Sequence, residues 1–265
     1  MTTSTSAGNN YGMARFPGRV VIVTGAGSGF GVEIAHRFGA EGANVVVADI
    51  NADAAAQTAA SIGPHARPFA VDVSSRAQAN AMVQFAIDTW GRLDVLVNNA
   101  GVHHLFGPVV DVPDDEVDRM LEVNTKGVFY TMTAAVPALR SSHGSICNVA
   151  SIGSIVIRPG AGVYAASKAA AISLMRSFAM ELAPDVRVNC VLPTAAATNL
   201  LRAIPGADQE WVSERQAWNA DLIPMKRLCT GEDVATAITF LCSDEASFLT
   251  GVALPVDGGR SAGNG

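Results

Sequence analysis

The segment "RVVIVTGAGSGFGVEIAHRFGAEGANVVVAD" (residues 19–49) sets two apolar β-branched runs on either side of a helical pattern. "RVVIVTG" (19–25) is apolar at nearly every position. It reads as a strand buried on both faces, because a strand with one wet face would alternate. "GVEIAHRFGAEG" (31–42) reads as a helix, with Gly42 as its stop signal. "ANVVVADI" (43–50) is a second buried strand. Between the first strand and the helix lies Thr24-Gly25-x-x-x-Gly29-x-Gly31. Glycines at such a turn let the chain bend sharply and let backbone N–H groups approach a phosphate at the helix N-terminus. A glycine pattern alone is weak evidence. Here it has the strand, turn and helix that the motif needs, so a bound nucleotide is expected over a plain turn.

The same alternation continues along the chain. "ADAAAQTAASIG" (52–63) reads as a helix and "ARPFAVDV" (66–73) as the third strand. "SRAQANAMVQFAIDTWG" (75–91) is a helix and "LDVLVNNAG" (93–101) a strand with a turn. A long helix, near 114–139, begins after Pro113. Asp114, Asp115 and Glu116 suit its positive end better than they suit a metal. "GSICNVAS" (144–151), a helix at 162–182 and "VRVNCVL" (186–192) follow. A final helix from about Glu232 leads to "GVALPV" (251–256). Strict β-α alternation with buried strands predicts one α/β domain, residues 19–259. It is a doubly wound (Rossmann) parallel sheet of about seven strands with helices on both faces. Residues 1–18 and 260–265 read as polar tails. The irregular stretch 194–226 reads as a lid over a substrate.

Of the chain's 265 residues, 49% are hydrophobic, enough for a large core, and the net charge is −6. An acidic chain argues against a nucleic-acid partner or an anionic membrane surface. No apolar run approaches the length of about 18–20 residues needed to span a bilayer. The N-terminus lacks the apolar core of a secretory signal. Cys147, Cys190, Cys229 and Cys242 stand far apart among apolar neighbours, as buried reduced thiols do. Together these features predict a soluble, cytoplasmic protein.

The helix "GVYAASKAAAISLMRSFAMEL" (162–182) is built for burial, yet it carries Tyr164 and Lys168 one turn apart. Residues at i and i+4 share a face. Ligands of a doubly wound sheet sit at the carboxyl ends of its strands. Ser151 falls at such an end, and the start of this helix follows it. The phenol and the ammonium are therefore expected in the nucleotide crevice. The plain alternative is a buried tyrosine with a snorkelling lysine.

From Arg19 to Gly259 the chain resembles the short-chain dehydrogenase/reductase family, in its NAD-preferring form with a Ser-Tyr-Lys active site. The resemblance rests on the glycine turn, Asp49, "DV" (72–73), "NNAG" (98–101), "VNTKGVF" (123–129), Ser151, Tyr164-x-x-x-Lys168, "RVNCVLPTAAAT" (187–198) and "TGVALPVDGG" (250–259). It implies that Tyr164 is the general acid/base, that Lys168 lowers its pKa and holds the nicotinamide ribose, and that Ser151 hydrogen-bonds the reacting oxygen. Asn124 would support a water that links Lys168 to solvent. Free tyrosine, with a pKa near 10, is a poor base at neutral pH, so a neighbouring cation is needed. The resemblance puts the dinucleotide on Thr24, Gly25, Ser28, Gly29, Phe30 and Gly31, with Asp49 and Ile50 at the adenosine ribose. Asp72, Val73, Asn98, Ala100 and Gly101 would continue the cofactor crevice. Tyr164, Lys168, Pro193, Thr194 and Thr198 would hold its nicotinamide end. The family has Pro-Gly where this chain has Pro193-Thr194. A β-branched residue resists positive φ, so the local path there is the open point.

Asp49 would accept hydrogen bonds from both ribose hydroxyls and repel the added phosphate of NADP. Ser28, Ile50 and Asn51, where NADP-preferring members carry a basic residue, are not cationic. NAD is the expected cofactor, although Asp49 could instead cap the helix from Asn51. His103 and His104 follow "NNAG"; either one faces substrate or both are loop residues, and their adjacency does not suit zinc. No metal is expected. Arg158 is either a solvated loop residue or a partner for an anionic substrate group. Ile152, Leu200, Trp211 and Trp218 are further candidates for substrate contact. With Leu201 and Ile204, the lid residues make an apolar wall over the substrate or simply pack the lid down.

The resemblance therefore implies NAD-dependent interconversion of a secondary alcohol and a ketone, in a homotetramer or, alternatively, a homodimer. An NADP-dependent carbonyl or 3-oxoacyl-thioester reductase is the rival enzyme. A catalytically silent nucleotide-binding scaffold is the rival from another class.

Overall fold

The computed structural model describes residues 14–103, 107–196 and 208–263, without the side chains of Trp211 and Arg215. It contains a seven-stranded sheet in the order β3-β2-β1-β4-β5-β6-β7, parallel at every pairing. The strands are β1 Val20–Thr24, β2 Asn44–Asp49, β3 Ala66–Ala70, β4 Val95–Asn98, β5 Ser145–Val149, β6 Arg187–Pro193 and β7 Ala253–Val256. The helices are α1 Gly29–Ala40, α2 Ala52–Ile62, α3 Arg76–Trp90, α4 Asp114–Leu121, α5 Val128–Ser142, α6 Gly162–Leu182, α7 Gln209–Asp221 and α8 Gly231–Cys242.

Strand alternation divides the core in two. Ile22, Val46, Leu96, Ile146 and Val188 point to one face, where they meet Met82 of α3, Met132 of α5 and Met175 of α6. Val21, Val45, Val97, Cys147 and Val191 point to the other, against Ile34 and Phe38 of α1, Ala55 of α2 and Ile238 of α8. Both faces are dry, which explains why the strands read as continuous apolar runs. Truncating a buried residue such as Leu96 or Met175 to alanine would cost about 2–5 kcal/mol. All four cysteines are free and buried. Among the described residues, no helix is long and apolar enough to cross a membrane.

Two boundaries differ from the sequence reading. The third strand ends at Ala70, so Asp72 and Val73 lie beyond it. Asp72 instead shapes a turn, its Oδ1 accepting from Ser74 N at 2.9 Å and Ser74 Oγ at 2.6 Å. This strand is also the sheet edge, and its middle residues, Arg67 and Pro68, are exposed. Proline fits there because an edge strand can do without a ladder donor.

The long helix expected near 114–139 is not uniform. A π-helical segment, Glu122–Gly127, separates α4 from α5. The cause is Asn124, which is fully buried. Its Oδ1 accepts from Val102 N and its Nδ2 donates to Val102 O, both at 2.9 Å; Nδ2 also reaches Ser167 Oγ at 3.0 Å. Widening the helix by one residue brings this amide to the turn after β4.

The segment expected as a lid is pinned at its base. Ala196 bridges Cys229, and Cys229 N donates to Ala195 O at 3.0 Å. Within it, α7 buries Val212 and Asn219 and leaves Trp218 46% exposed. Trp218 is thus not part of the buried face: the positions that pack are seven apart, 212 and 219, and 218 falls beside them.

Candidate active site

The crevice begins where β1 meets α1. Gly25 takes φ +64°, and a Cβ on it would lie 2.8 Å from Ala100 Cα. A Cβ on Gly31 would lie 2.1 Å from Gly25 O. No side chain fits at either point, which is the reason for glycine there. Ser28, at the N-cap of α1, is exposed and makes no side-chain cap bond, and the first turn carries no acid. The uncapped N–H groups of such a first turn make a positive helix end, a fit for a pyrophosphate. By contrast, α8 closes its own N-terminus with a capping box of Thr230 and Asp233.

Asp49 stands at the end of β2. Its Oδ2 accepts from Gly27 N at 2.8 Å, and its Oδ1 accepts from Asn51 N at 2.9 Å. The helix-capping alternative falls to a neighbour: Asn51 caps α2, accepting from Ala54 N at 3.1 Å. The carboxylate instead braces the glycine turn from the side. Ile50 beside it is 74% exposed.

Other expected contacts turn inward. Thr24 Oγ1 accepts from Asn99 N and Ala100 N, at 3.0 and 3.1 Å. Asn98 Nδ2 donates to Asn148 Oδ1 at 2.9 Å, and Asn98 Oδ1 accepts from Thr131 Oγ1 at 2.7 Å. These two residues tie strand ends together. Asn99, which the sequence reading passed over, does the holding on the crevice side: its Nδ2 donates to the carbonyls of Thr24 and Gly25, each at 3.0 Å. Val73, Ile152 and Pro193 are buried.

Tyr164 and Lys168 lie on α6 beside the end of β5. Ser151 Oγ accepts from Gly153 N at 3.1 Å, and its hydroxyl is near enough to Tyr164 to favour the phenolate. Lys168 is 5% exposed, and its Nζ donates to Val149 O at 2.9 Å. Gly101 leaves the space that brings this ammonium near Asn124: a Cβ there would meet Lys168 Nζ at 3.0 Å and Asn124 Oδ1 at 3.1 Å. His103 stacks on Tyr164, ring centroids 4.1 Å apart. Ser151, Tyr164, Lys168, Asn124 and His103 therefore form one cluster. Asn124 enters it as a positioning residue, its side chain engaged with Val102 and Ser167.

The electrostatics differ from the sequence expectation. Burial raises the Tyr164 pKa above its usual value, and the Ser151 hydroxyl offsets this only in part. Burial lowers Lys168 to about 8. The ammonium is directed at a carbonyl, and desolvation dominates the phenol.

Arg158 is half-buried and already engaged. Its Nη1 donates to Asn219 Oδ1 at 3.1 Å, and its guanidinium lies over Trp218, 5.8 Å from the ring centroid. It fastens α7 to the loop between Ser151 and α6. Thr194 also answers the open point. Among the described non-glycine residues, only His143 and Lys226 take positive φ, so Thr194 holds an ordinary backbone. His104, Thr198, Leu200, Leu201, Ile204 and the Trp211 side chain lie outside the described residues.

Fold and site together define a dinucleotide-dependent oxidoreductase class: a glycine turn at the β1 switch point, and a Ser-Tyr-Lys cluster at the end of β5, three strands from Asp49 on β2. The family described as enoyl-(acyl carrier protein) reductase matches residues 25–261. The chain is 39% identical to meso-2,3-butanediol dehydrogenase of Serratia marcescens, over 95% of this chain and 98% of that one. It is 41% identical to 4-formylbenzenesulfonate dehydrogenase of Comamonas testosteroni, over 92% and 98%. A 3-ketoacyl-(acyl-carrier-protein) reductase from Brucella melitensis, solved with NADH, superimposes with a TM-score of 0.87 at 39% identity, covering 93% of this chain and 99% of that one. The chain belongs to the short-chain dehydrogenase/reductase family.

Proposed function

We propose that the protein interconverts a secondary alcohol and its ketone with NAD, using Tyr164 as the proton carrier. The observation that carries this reading is the clustering of Ser151, Tyr164 and the buried Lys168, whose Nζ donates to Val149 O, at the carboxyl end of β5. When bound, the dinucleotide supplies the hydride acceptor or donor. Tyr164 passes a proton to the carbonyl oxygen in reduction and takes it from the hydroxyl in oxidation. The Ser151 hydroxyl orients the same oxygen and meets its developing charge. Lys168 keeps a positive charge near the phenol and is positioned for the ribose.

NAD over NADP is supported by Asp49 at the β2 end and by the absence of a cation at Ser28, Ile50 and Asn51. The rival reading, a 3-oxoacyl-thioester reductase, draws on the Brucella melitensis relative. A small to medium, largely apolar secondary alcohol is suggested by the apolar composition of residues 199–218, and the butanediol-acting relative supports a secondary alcohol. A homotetramer is supported by apolar side chains left open on the surface, among them Phe248, fully exposed, and Met180, 83% exposed.

The test is a panel of secondary alcohols, ketones and 3-oxoacyl thioesters, each run with NAD(H) and NADP(H), with light scattering for the assembly. Turnover of secondary alcohols with NAD is expected. Turnover of thioesters with NADPH alone supports the rival reading. Nucleotide binding without turnover of any substrate supports a silent scaffold.

A further inference from the structure

Thr194 stands where the family has glycine, and it is 8% exposed. Its Oγ1 is buried, and no group among the described residues hydrogen-bonds it. Buried hydroxyls are nearly always hydrogen-bonded, because losing water without a replacement is unfavourable. A hydroxyl left over at the carboxyl end of a strand in such a sheet points to a ligand atom.

The direction of the side chain follows from the strand. Thr194 N donates to Val256 O at 3.3 Å, so pairing with β7 runs one residue past Pro193. Val188, Cys190 and Leu192 of β6 share a core with Ile172, Met175 and Ala179 of α6, while Val191 packs on the opposite face. With a period of two, Thr194 falls on the α6 face. That is the face of Tyr164 and Lys168. The neighbouring strand, β5, supplies the Val149 carbonyl that holds Lys168.

Strand order identifies which end of a dinucleotide would come here. Asp49 is on β2 and Thr194 follows β6, four strands away. At about 4.8 Å per strand the separation is about 19 Å, which puts Thr194 far from the adenosine. We infer that the Thr194 hydroxyl hydrogen-bonds the carboxamide of the nicotinamide and so fixes the ring beside Tyr164. A threonine hydroxyl both donates and accepts, and a carboxamide offers both kinds of partner. Glycine offers neither, so this contact is an addition peculiar to the Pro193-Thr194 pair. The inference rests on the dinucleotide reading above.

The test is calorimetric binding of NADH and of ADP-ribose, which lacks the nicotinamide, to the full-length wild type, Thr194→Val and Thr194→Ser. Valine keeps the shape and removes the hydroxyl. Its NADH Kd is expected to rise about five- to tenfold, the usual loss for one hydrogen bond. Its ADP-ribose Kd should not change, and serine should restore NADH binding. The melting temperature of the free Thr194→Val protein should hold or rise, since an unmet hydroxyl has gone. NADH binding unchanged by valine overturns the inference and leaves the dinucleotide reading intact. An equal loss for NADH and ADP-ribose also overturns it, because the hydroxyl would then act on the shared half. A wild type that binds neither ligand overturns both.

Discussion

His103 and Tyr164 lie ring to ring, centroids 4.1 Å apart and planes tilted by 30°. One comes from the turn after β4, the other from α6. The backbone of His103 is held as well, since Arg119 Nη2 on α4 donates to its carbonyl at 3.2 Å. The imidazole thus limits where the phenol can swing. Aromatic contacts of this kind contribute about 0.5–1.5 kcal/mol. His103→Ala should lower kcat several-fold with little change in cofactor affinity, and His103→Phe, which keeps a ring, should recover most of it. If alanine and phenylalanine behave alike in steady-state assays, the stack does not position Tyr164.

Tyr164→Phe keeps the ring and removes the hydroxyl proposed as proton carrier. The expected drop in kcat is the ~10²–10⁴ typical of lost acid–base catalysis, while NADH still binds. Activity within threefold of wild type between pH 6 and 10 would contradict the role of Tyr164.

Burial raises the Tyr164 pKa, so the phenol stays protonated at neutral pH. The protonated form serves ketone reduction, and the phenolate serves alcohol oxidation. Oxidation should therefore gain rate as pH rises from 7 toward 10, while reduction should not gain. Parallel kcat profiles for the two directions would count against the assignment.

Lys168 shows the opposite linkage. Its folded pKa is about 8, against an ordinary 10.5. Between those values the unfolded chain binds more protons, so stability rises with pH across that window; below about 8 the full penalty of burying the charge stands. Lys168→Met should abolish activity yet stabilise the fold at pH 7 by about 1–3 kcal/mol, less the lost bond to Val149. In urea titrations the gain should shrink as pH approaches 10.5. A gain that is constant with pH would mean that the lysine is not desolvated.

Asp49 should discriminate between cofactors. We expect kcat/KM for NAD to exceed that for NADP by at least tenfold, about 1.4 kcal/mol. Asp49→Ser should narrow the ratio, chiefly by weakening NAD, because the Gly27 N–H loses its acceptor too. Equal use of both cofactors by the wild type would refute the ribose role.

Arg158 and Trp218 touch across the loop and α7, so their removal should have one phenotype. Arg158→Ala and Trp218→Ala should each raise KM for bulky substrates more than for small ones, and the double variant should add little. Additive effects, or equal effects on both substrate sizes, would point to folding or subunit contact.

The sequence alone determined what is local or periodic. Buried runs such as Val20 to Val23, alternating with helical patterns, allow only a parallel sheet covered on both faces. Glycines 25, 29 and 31 follow a strand and open a helix, so the tight strand-to-helix turn was legible. Tyr164 and Lys168, one helical turn apart, announced a shared face. What only the tertiary structure decided involves partners distant in the chain. No spacing shows that Asn98 bonds Asn148 and not a ligand, that Asp49 reaches back to Gly27, or that Asn124 bulges its helix to reach Val102. His103 meets Tyr164, and Arg158 meets Asn219, each pair 61 residues apart in the chain. Desolvation is likewise a property of the assembled site. From sequence, Lys168 reads as a cation that lowers the pKa of Tyr164; burial raises the phenol, lowers the lysine and turns its ammonium to the Val149 carbonyl. Local pattern fixes backbone geometry, but a charge responds to every group packed around it, and those groups come from the whole fold.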